Sequence, residues 1–473
     1  MGHGGVRLRL RGSQWGSQVT GVLVARRVVV IGGGAAGMSA ASAVRRTEPS
    51  TTVTVLENGP FPSYGVCGIP YYLAGVVPRG EDLIAYPADE FITKRGIDLR
   101  LGVGATEVDV VGHTVTTSGG EALGFDSLIF TAGAHAIVPP IPGVDDPRVV
   151  TIRRLDDAIA LYGQLADVRR AVVVGAGYVG LEMAEALTER GIDVTIVDRL
   201  PRVLTTVDES VAAIAEEEAR RHCTVRLGAG LIALHPGADS IGVELEDGII
   251  ETELVVLALG VRPATSLIDG LDCLPNGALI VDEHMRTSHE NVWAAGDCVA
   301  LHHRVLNKPA FVPLGPAANK AGRVAGVSAS GGHASFPGIV GTAVVKIFDL
   351  TVAHSGLTLA EAQAAGLDAE ATEMTAKSRA KYYPGAQPMR VRLIHEPGGR
   401  LLGGQLAGQD GVAQRIDVVA AALHVGMTID DLADLDLAYA PPFSPVYDPL
   451  TQAAQSAQFS RAKRNAKAKE GSG

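Results

Sequence analysis

Cysteine is scarce in this chain: four residues in 473, at positions 67, 223, 273 and 298. They form no CxxC pair and no zinc-ligand spacing, which excludes a disulfide-stapled scaffold and predicts no metal site. Such usage belongs to a reducing compartment, so the expected location is cytoplasmic. Long hydrophobic runs are missing as well, and no uninterrupted apolar stretch has the length needed to cross a bilayer. The N-terminal stretch has no adequate apolar segment for a secretory signal, and residues 1–26 read as a disordered extension. Positive charge is in deficit, with 41 Lys and Arg against 52 Asp and Glu and a net charge of −11. That balance argues against a general nucleic-acid binder or a binder of anionic membranes.

Glycine and apolar residues are abundant. Hydrophobic types make up 47% of the chain and charged types 20%, enough to bury several cores and to exclude wholesale disorder. The length suits about three domains. The 57 glycines cluster between apolar runs, where they serve turns and close backbone approach.

Two segments read as copies of one unit, Arg26 to Glu57 and Arg169 to Asp198. Each runs apolar strand, glycine turn, helix, second apolar strand and acid, the pattern of a βαβ unit with parallel strands. In the first, Gly32, Gly34 and Gly37 fit GxGxxG, with Ala36 between the last two, and Glu57 lies 20 residues beyond Gly37. Gly32 permits the tight turn, Gly34 lets the backbone approach a pyrophosphate, and Gly37 permits close helix packing. The helix N-terminus attracts phosphate, and the acid accepts hydrogen bonds from ribose hydroxyls. Gly175, Gly177 and Gly180 repeat the pattern around Tyr178, with Asp198 in the acid position. Two dinucleotide sites in one chain imply electron transfer between two bound cofactors. Asp198 favours the free ribose diol of NADH, while Arg199 and Arg202 offer a place for the 2′-phosphate of NADPH.

Outside the two units, residues 103–119 and Val243 to Leu259 alternate like antiparallel hairpins. Beyond Gly341 the pattern becomes mixed, with a hairpin at Arg390–His395 and Leu401–Leu406 and a helix at Gly411–Val425. That region contains no nucleotide loop.

Further motifs occur in order: Thr131-Ala132-Gly133-Ala134, Leu259-Gly260-Val261-Arg262-Pro263, and Val292-Trp293-Ala294-Ala295-Gly296-Asp297. With the two glycine loops, these make the chain resemble the pyridine nucleotide-disulfide oxidoreductase family over about residues 25–455. The resemblance implies an α/β fold with two Rossmann-like dinucleotide-binding domains and a C-terminal α+β dimerisation domain. The FAD domain would span 27–145 and 263–340, the NAD(P)H domain 146–262 and the dimerisation domain 341–455, with a flexible tail at 456–473. By the same resemblance FAD is held by Gly32, Gly34, Ala36, Gly37, Glu57, Ser63, Ala132, Gly133, Asp297, Ala317 and Ala318. Asp297 meets the ribityl chain or the pyrophosphate, and the helix beginning near Ala317 points its positive end at the flavin pyrimidine edge. NADH, with NADPH as the alternative, is held by Gly175, Gly177, Tyr178, Gly180, Glu182, Asp198 and Gly260. Glu182 faces the nicotinamide or is an exposed helix acid.

Cys67 follows Glu57 by ten residues, which places it at the carboxyl edge of the first sheet, where ligands bind. Pro70 suits a helix first turn, so Cys67 is expected near a helix N-terminus with its pKa lowered toward thiolate. The competing reading is a packed, inert cysteine, which is the expectation for Cys223, Cys273 and Cys298. Position 72 is tyrosine, so the C-x4-C redox disulfide of two-cysteine family members cannot form. The Cys67-Gly68-Ile69-Pro70-Tyr71-Tyr72 segment, Lys381-Tyr382-Tyr383-Pro384-Gly385 and Tyr439-Ala440-Pro441-Pro442 resemble the single-cysteine branch. That branch holds coenzyme A-disulfide reductases, NADH-dependent persulfide or polysulfide reductases, and NADH oxidases. It implies a homodimer whose active site is shared, with Tyr439 and Tyr382 of one subunit reaching the Cys67 sulfur of the other. The expected substrate is a small disulfide, persulfide or polysulfide such as coenzyme A disulfide. Arg45 and Arg46 are either a coenzyme A phosphate contact or a solvated helix end. Ala35 stands where oxidase and peroxidase members often carry histidine, which demotes peroxide chemistry. The alternatives are an NADH oxidase working through a cysteine sulfenic acid, an electron-transfer reductase for a ferredoxin-like partner, and a nucleotide-sensing interaction protein.

Overall fold

A computed structural model of the chain describes residues 25–470. The expected N-terminal extension lies almost wholly outside the described residues. Helices and strands named below are numbered as they appear. Strand β1 (Arg27–Ile31), helix α1 (Ala35–Thr47) and strand β2 (Thr52–Glu57) form the first βαβ unit, with β1 and β2 parallel and in register from Arg27–Thr52 to Ile31–Leu56. The strands Asp98–Leu101, Ser127–Phe130 and Val292–Ala294 complete a five-stranded parallel sheet. Ser127–Phe130 is buried along its whole length, as a strand covered on both faces must be.

The second unit is built the same way from β3 (Arg170–Val174), α3 (Tyr178–Thr188) and β4 (Asp193–Asp198), where α2 is the short helix Ile69–Leu73 between the two units. Its sheet adds Thr224–Leu227, Leu254–Leu257 and Val149–Thr151, all parallel. The expected hairpin at Val243–Leu259 is therefore only partly right. Ile241–Leu245 and Gly248–Thr252 pair antiparallel, but Leu254–Leu257 leaves them for the parallel sheet. Its four residues are all buried, so it needs a cover on both faces that a hairpin lacks. The two units are tied by an antiparallel crossing of Ala134–Ala136 with Val261–Pro263.

Helix α4 (Gly315–Ala329) returns the chain to the first unit and packs on α1. A Cβ at Gly322 or Gly326 would sit 2.2 Å from the Ala36 or Ala40 carbonyl oxygen, so only glycine permits this helix contact. The C-terminal module is a five-stranded antiparallel sheet with helices α5 (Val412–Val425) and α6 (Pro449–Glu470). Helix α6 corrects the expectation of a flexible tail from residue 456. Leu450, Ala453, Ala454 and Ala457 form a buried stripe, and Arg461 and Arg464 pair with Asp430 and Glu370. Once that stripe is docked, the Ala, Lys and Arg residues that follow extend the helix at little cost.

Candidate functional site

Both glycine loops hold the same geometry. Gly32 and Gly175 take φ of +100° and +109°, and each donates its N–H across to the neighbouring strand. A Cβ at Gly37 would lie 1.8 Å from the Gly32 carbonyl oxygen, and one at Gly180 would lie 1.8 Å from that of Gly175. Gly34 and Gly177 differ: nothing lies within 4 Å of their Cβ positions. They are the N-caps of α1 and α3, extended in backbone and without a side-chain capping bond. Each is an open cradle facing helix N–H groups that no cap satisfies, a fit for a pyrophosphate.

The acids brace these loops. Glu57 accepts from the Gly33 and Gly59 N–H groups, each at 2.7 Å. Asp198 accepts from Ala176 at 2.7 Å and from Leu200 at 2.8 Å. Each carboxylate is thus held at its loop with lone pairs left for a ribose. Ser63 donates its N–H to Gly33 at 2.9 Å from a left-handed backbone, φ 50°, a strained conformation of the kind that collects at binding sites. Gly296, with φ of +87°, lies against Ala36 and delivers Asp297 beside the first loop. Ala317 and Ala318 lie buried in the first turn of α4. Ala132 and Gly133 follow the strand Ser127–Phe130, which neighbours the central strand β1, and the Gly133 carbonyl accepts from Ala264. Gly260 bonds to Ile137 within the crossing between the two units.

Cys67 occupies a single turn, Val66–Gly68, that leads into α2, where Pro70 sits in the first turn. It is exposed, while Cys298 is fully buried with its thiol pushed up to about 12 by burial. Cys273 is exposed and Cys223 half-buried, so the expected packing holds for Cys298 alone. The expectation of a lowered Cys67 pKa is overturned. Crowding on its inner side, then Glu182, then Asp297, raise the thiol above its ordinary value, and Arg153 opposes them. A helix of five residues supplies too little dipole to outweigh two carboxylates.

Glu182 is half-buried on α3, not an exposed helix acid. Burial, then the neighbouring Glu185, push its carboxyl up to about 7. Glu185 itself is spent: it takes the Lys346 ammonium and the Phe348 N–H, at 2.7 Å for the latter, and pins α3 to the C-terminal sheet. Burial, then the charges of Glu182, Glu185 and Cys67, raise the phenol of Tyr71, one turn after Cys67, above its ordinary value. Tyr178 begins α3 directly after the second loop, accepts from Thr206 and is held protonated by burial, its pKa raised to about 12.

Sequence reasoning missed Tyr71 and Arg153. Arg153 reaches from the segment after Val149–Thr151 to Asp297, at 2.6 Å, and to the Ala134 carbonyl, at 3.1 Å. Its only signal in the sequence was its place in the Arg153-Arg154 pair, which lies ahead of the second unit. Tyr382 and Tyr439 come together on the C-terminal module, where Tyr382 raises the Tyr439 phenol. They are 76% and 47% exposed, and around them Phe443, Val446 and Tyr447 are exposed too. Arg45 is occupied by the carbonyls of Arg95, Pro49 and Thr51, so of its two readings the helix-end one holds. No group of metal ligands occurs among the described residues, and no described helix is long and apolar enough to cross a membrane.

Comparison with known proteins adds to this geometry. The family model for pyridine nucleotide-disulphide oxidoreductases matches residues 26–322, and that for their dimerisation domain matches 342–450. The NAD(P)H sulfur oxidoreductase (CoA-dependent) of Pyrococcus furiosus is 40% identical, over 92% of this chain and 99% of its own. The solved NAD-dependent persulfide reductase of A. fulgidus is 38% identical, with a TM-score of 0.89 over 92% of this chain and 84% of its own. The water-forming NADH oxidase of Lactobacillus brevis, solved with NADH bound, is 31% identical, with a TM-score of 0.90 over 93% of this chain and 100% of its own.

Proposed function

The chain belongs to the pyridine nucleotide-disulphide oxidoreductase family, and we propose that it is an FAD-dependent NAD(P)H oxidoreductase that reduces a small disulfide, persulfide or polysulfide through Cys67. The observation that carries this reading is the place of Cys67. It is an exposed thiol on the turn Val66–Gly68, which follows the first βαβ unit and leads into α2. Bound FAD supplies a two-electron relay between NADH and sulfur.

The chain's own residues account for the rest. The thiolate of Cys67 attacks one sulfur of R–S–S–R. A Cys67–S–R bond forms, the substrate S–S bond breaks, and one RS⁻ leaves to take a proton. Two electrons from NADH then break the mixed disulfide, returning the Cys67 thiolate and releasing the second thiol. The sum is NADH, one proton and one disulfide giving NAD⁺ and two thiols. With a persulfide RSSH, attack on the outer sulfur breaks its S–S bond, releases RS⁻ to take a proton and leaves a Cys67 persulfide, which the same two electrons resolve to the Cys67 thiolate and hydrosulfide. Glu182, its carboxyl raised to about 7, in this reading holds or gives a proton between nicotinamide and sulfur. In this reading Tyr382 and Tyr439 act from a second subunit of a homodimer and protonate the leaving sulfur. The exposed aromatic surface around them supports that role.

Coenzyme A is the proposed thiol carrier, on the strength of the relative's name. NADH is the proposed donor because Asp198 is fixed at the ribose position by two backbone bonds. Arg202 lines an adjoining cavity of about 550 Å³ with Leu200, Thr205, Glu209 and Glu216, and is the residue on which NADPH use depends. The site of action is proposed to be the cytoplasm.

A second reading, an NADH oxidase, is favoured by the likeness to the L. brevis enzyme. Strictly anaerobic NADH consumption separates the two. Turnover that persists with coenzyme A disulfide or polysulfide, and vanishes in Cys67→Ser, supports the sulfur reading. Turnover that appears only with oxygen refutes it.

A further inference from the structure

We infer that Arg190 and Tyr162 are positioning residues for the reaction proposed above: they clamp the short helix that follows Cys67 and so fix where the sulfur stands. The inference rests on Cys67 being the reacting sulfur.

Cys67 lies on the turn Val66–Gly68, and α2 begins at the next residue. A helix of five residues cannot keep its shape in water by its own hydrogen bonds. The place of the turn is therefore set by what α2 packs on. Along the chain α2 follows the first βαβ unit, yet Ile69, Tyr72 and Leu73 are buried in one core with Leu161, Leu181 and Leu187. Leu161 belongs to the helix Leu155–Gln164, and Leu181 and Leu187 belong to α3. The core around β1 is a separate one. The helix next to the sulfur is thus seated on the second unit rather than on the first.

Two contacts lock that seat. The Tyr72 ring stacks on Tyr162, with centroids 4.7 Å apart and planes 18° from parallel. The Arg190 guanidinium lies over the same Tyr162 ring, 4.2 Å from its centroid, and its Nε donates to the Leu73 carbonyl. Leu73 is the last residue of α2, so the bond satisfies one of the carbonyls that a helix end leaves open. A planar guanidinium can cover a ring with its face and donate in its plane at once. The segment after α2 closes on the same surface: a Cβ at Gly80 would lie 2.6 Å from Ile159 Cγ1 and 3.5 Å from Tyr72 Cζ. Position 72, where a C-x4-C pair would need its second cysteine, is thus given to the anchor of the cysteine helix. Helix α3 begins at the second glycine loop and ends at Thr188, two residues before Arg190. One rigid element therefore presents a dinucleotide cradle at one end and holds the cysteine helix at the other.

The test is made on the purified flavoprotein carrying Arg190→Ala. Hydrogen–deuterium exchange is read on the peptide spanning residues 66–77, where the Ala74, Gly75 and Val76 amides bond back to carbonyls of α2. Exchange there should quicken about tenfold, while peptides from β1 and β3 stay as in the parent. Turnover with coenzyme A disulfide should fall about ten- to a hundredfold, because a sulfur displaced by about 1 Å no longer meets its reaction partners. The loss should sit in kcat, with the KM for NADH and the rate at which NADH bleaches the flavin both within about twofold. Tyr162→Leu should behave like Arg190→Ala. Tyr162→Phe keeps both ring contacts and should match the parent. Unchanged exchange in Arg190→Ala, bleaching lost as heavily as turnover, or a phenylalanine variant as slow as the leucine one overturns the inference. If Arg190→Ala does not fold, Tyr162→Leu, at a half-buried position, carries the same readings. Failure of the functional reading shows separately, as sulfur reduction by NADH that survives Cys67→Ser, whatever the exchange result.

Discussion

Substituting alanine at Gly34 and at Gly37 should separate binding from folding, although the two positions are three residues apart in one loop. At Gly37 the added methyl would lie 1.8 Å from the Gly32 oxygen and 2.7 Å from the Thr131 hydroxyl. Both neighbours are fixed: Gly32 by its bond to Leu56, and Thr131 by its 2.7 Å bond to the Ile31 carbonyl. The helix must therefore move away from the sheet, at a cost of about 3 kcal/mol. At Gly34 nothing lies within 4 Å and the backbone, φ −74° and ψ −164°, suits alanine. The lost N-cap preference costs a few tenths of a kcal/mol and the stiffer unfolded chain returns a similar amount. The Gly34→Ala protein should therefore melt within a degree or two of the parent once both are stripped of flavin. Its methyl instead occupies the space that a pyrophosphate must enter, a clash of about 1–3 kcal/mol that weakens FAD binding roughly 5- to 150-fold. Fluorescence-quenching titration with FAD reads the affinity, and circular dichroism melting of the stripped protein reads the stability. Parent-like FAD affinity in a folded Gly34→Ala protein, or unchanged stability in Gly37→Ala, would falsify the account of the first loop as a dinucleotide cradle.

Three other outcomes are expected. Glu182→Gln should alter the dependence of stability on pH. The native carboxyl is raised to about 7, so the folded parent holds this proton more tightly than the unfolded chain, and stability falls as pH rises from about 4.5 to 7. The glutamine variant should lose that fall, at most about 3 kcal/mol, and a melting-temperature difference that is flat between pH 5 and pH 8 would contradict it. Asp448→Ala should destabilise the C-terminal module by about 3–5 kcal/mol, because it strands Arg415, which is buried and bonded to Asp448 at 2.8 Å; denaturant titration is the check. Arg202→Ala should reduce NADPH use at least tenfold and leave NADH kinetics within twofold, the loss of one charged contact to a phosphate. Equal losses with both nucleotides would remove Arg202 from the 2′-phosphate position.

The order of the motifs along the chain was enough to reveal two βαβ units, their glycine turns and their acids. Each depends on contacts between residues close in sequence, such as Gly37 against Gly32. The same local logic singled out Cys67 as a candidate, ten residues beyond Glu57 on a chain leaving a parallel strand, and the structure puts it exposed on the turn Val66–Gly68. Its protonation was not legible in this way. Glu182 and Asp297 lie 115 and 230 residues from Cys67, and Arg153 lies 86 away, so the sign of the field at the sulfur exists only once three separate elements converge. The fate of Arg45 and the helical course of residues 456–470 depended in the same way on partners far along the chain: Arg95 for the first, Asp430 and Glu370 for the second. Local sequence specifies which backbone shapes are affordable, because sterics and hydrogen bonding act over a few residues. Charge and burial at a given atom depend on everything that packs around it, and here only the folded chain determined them.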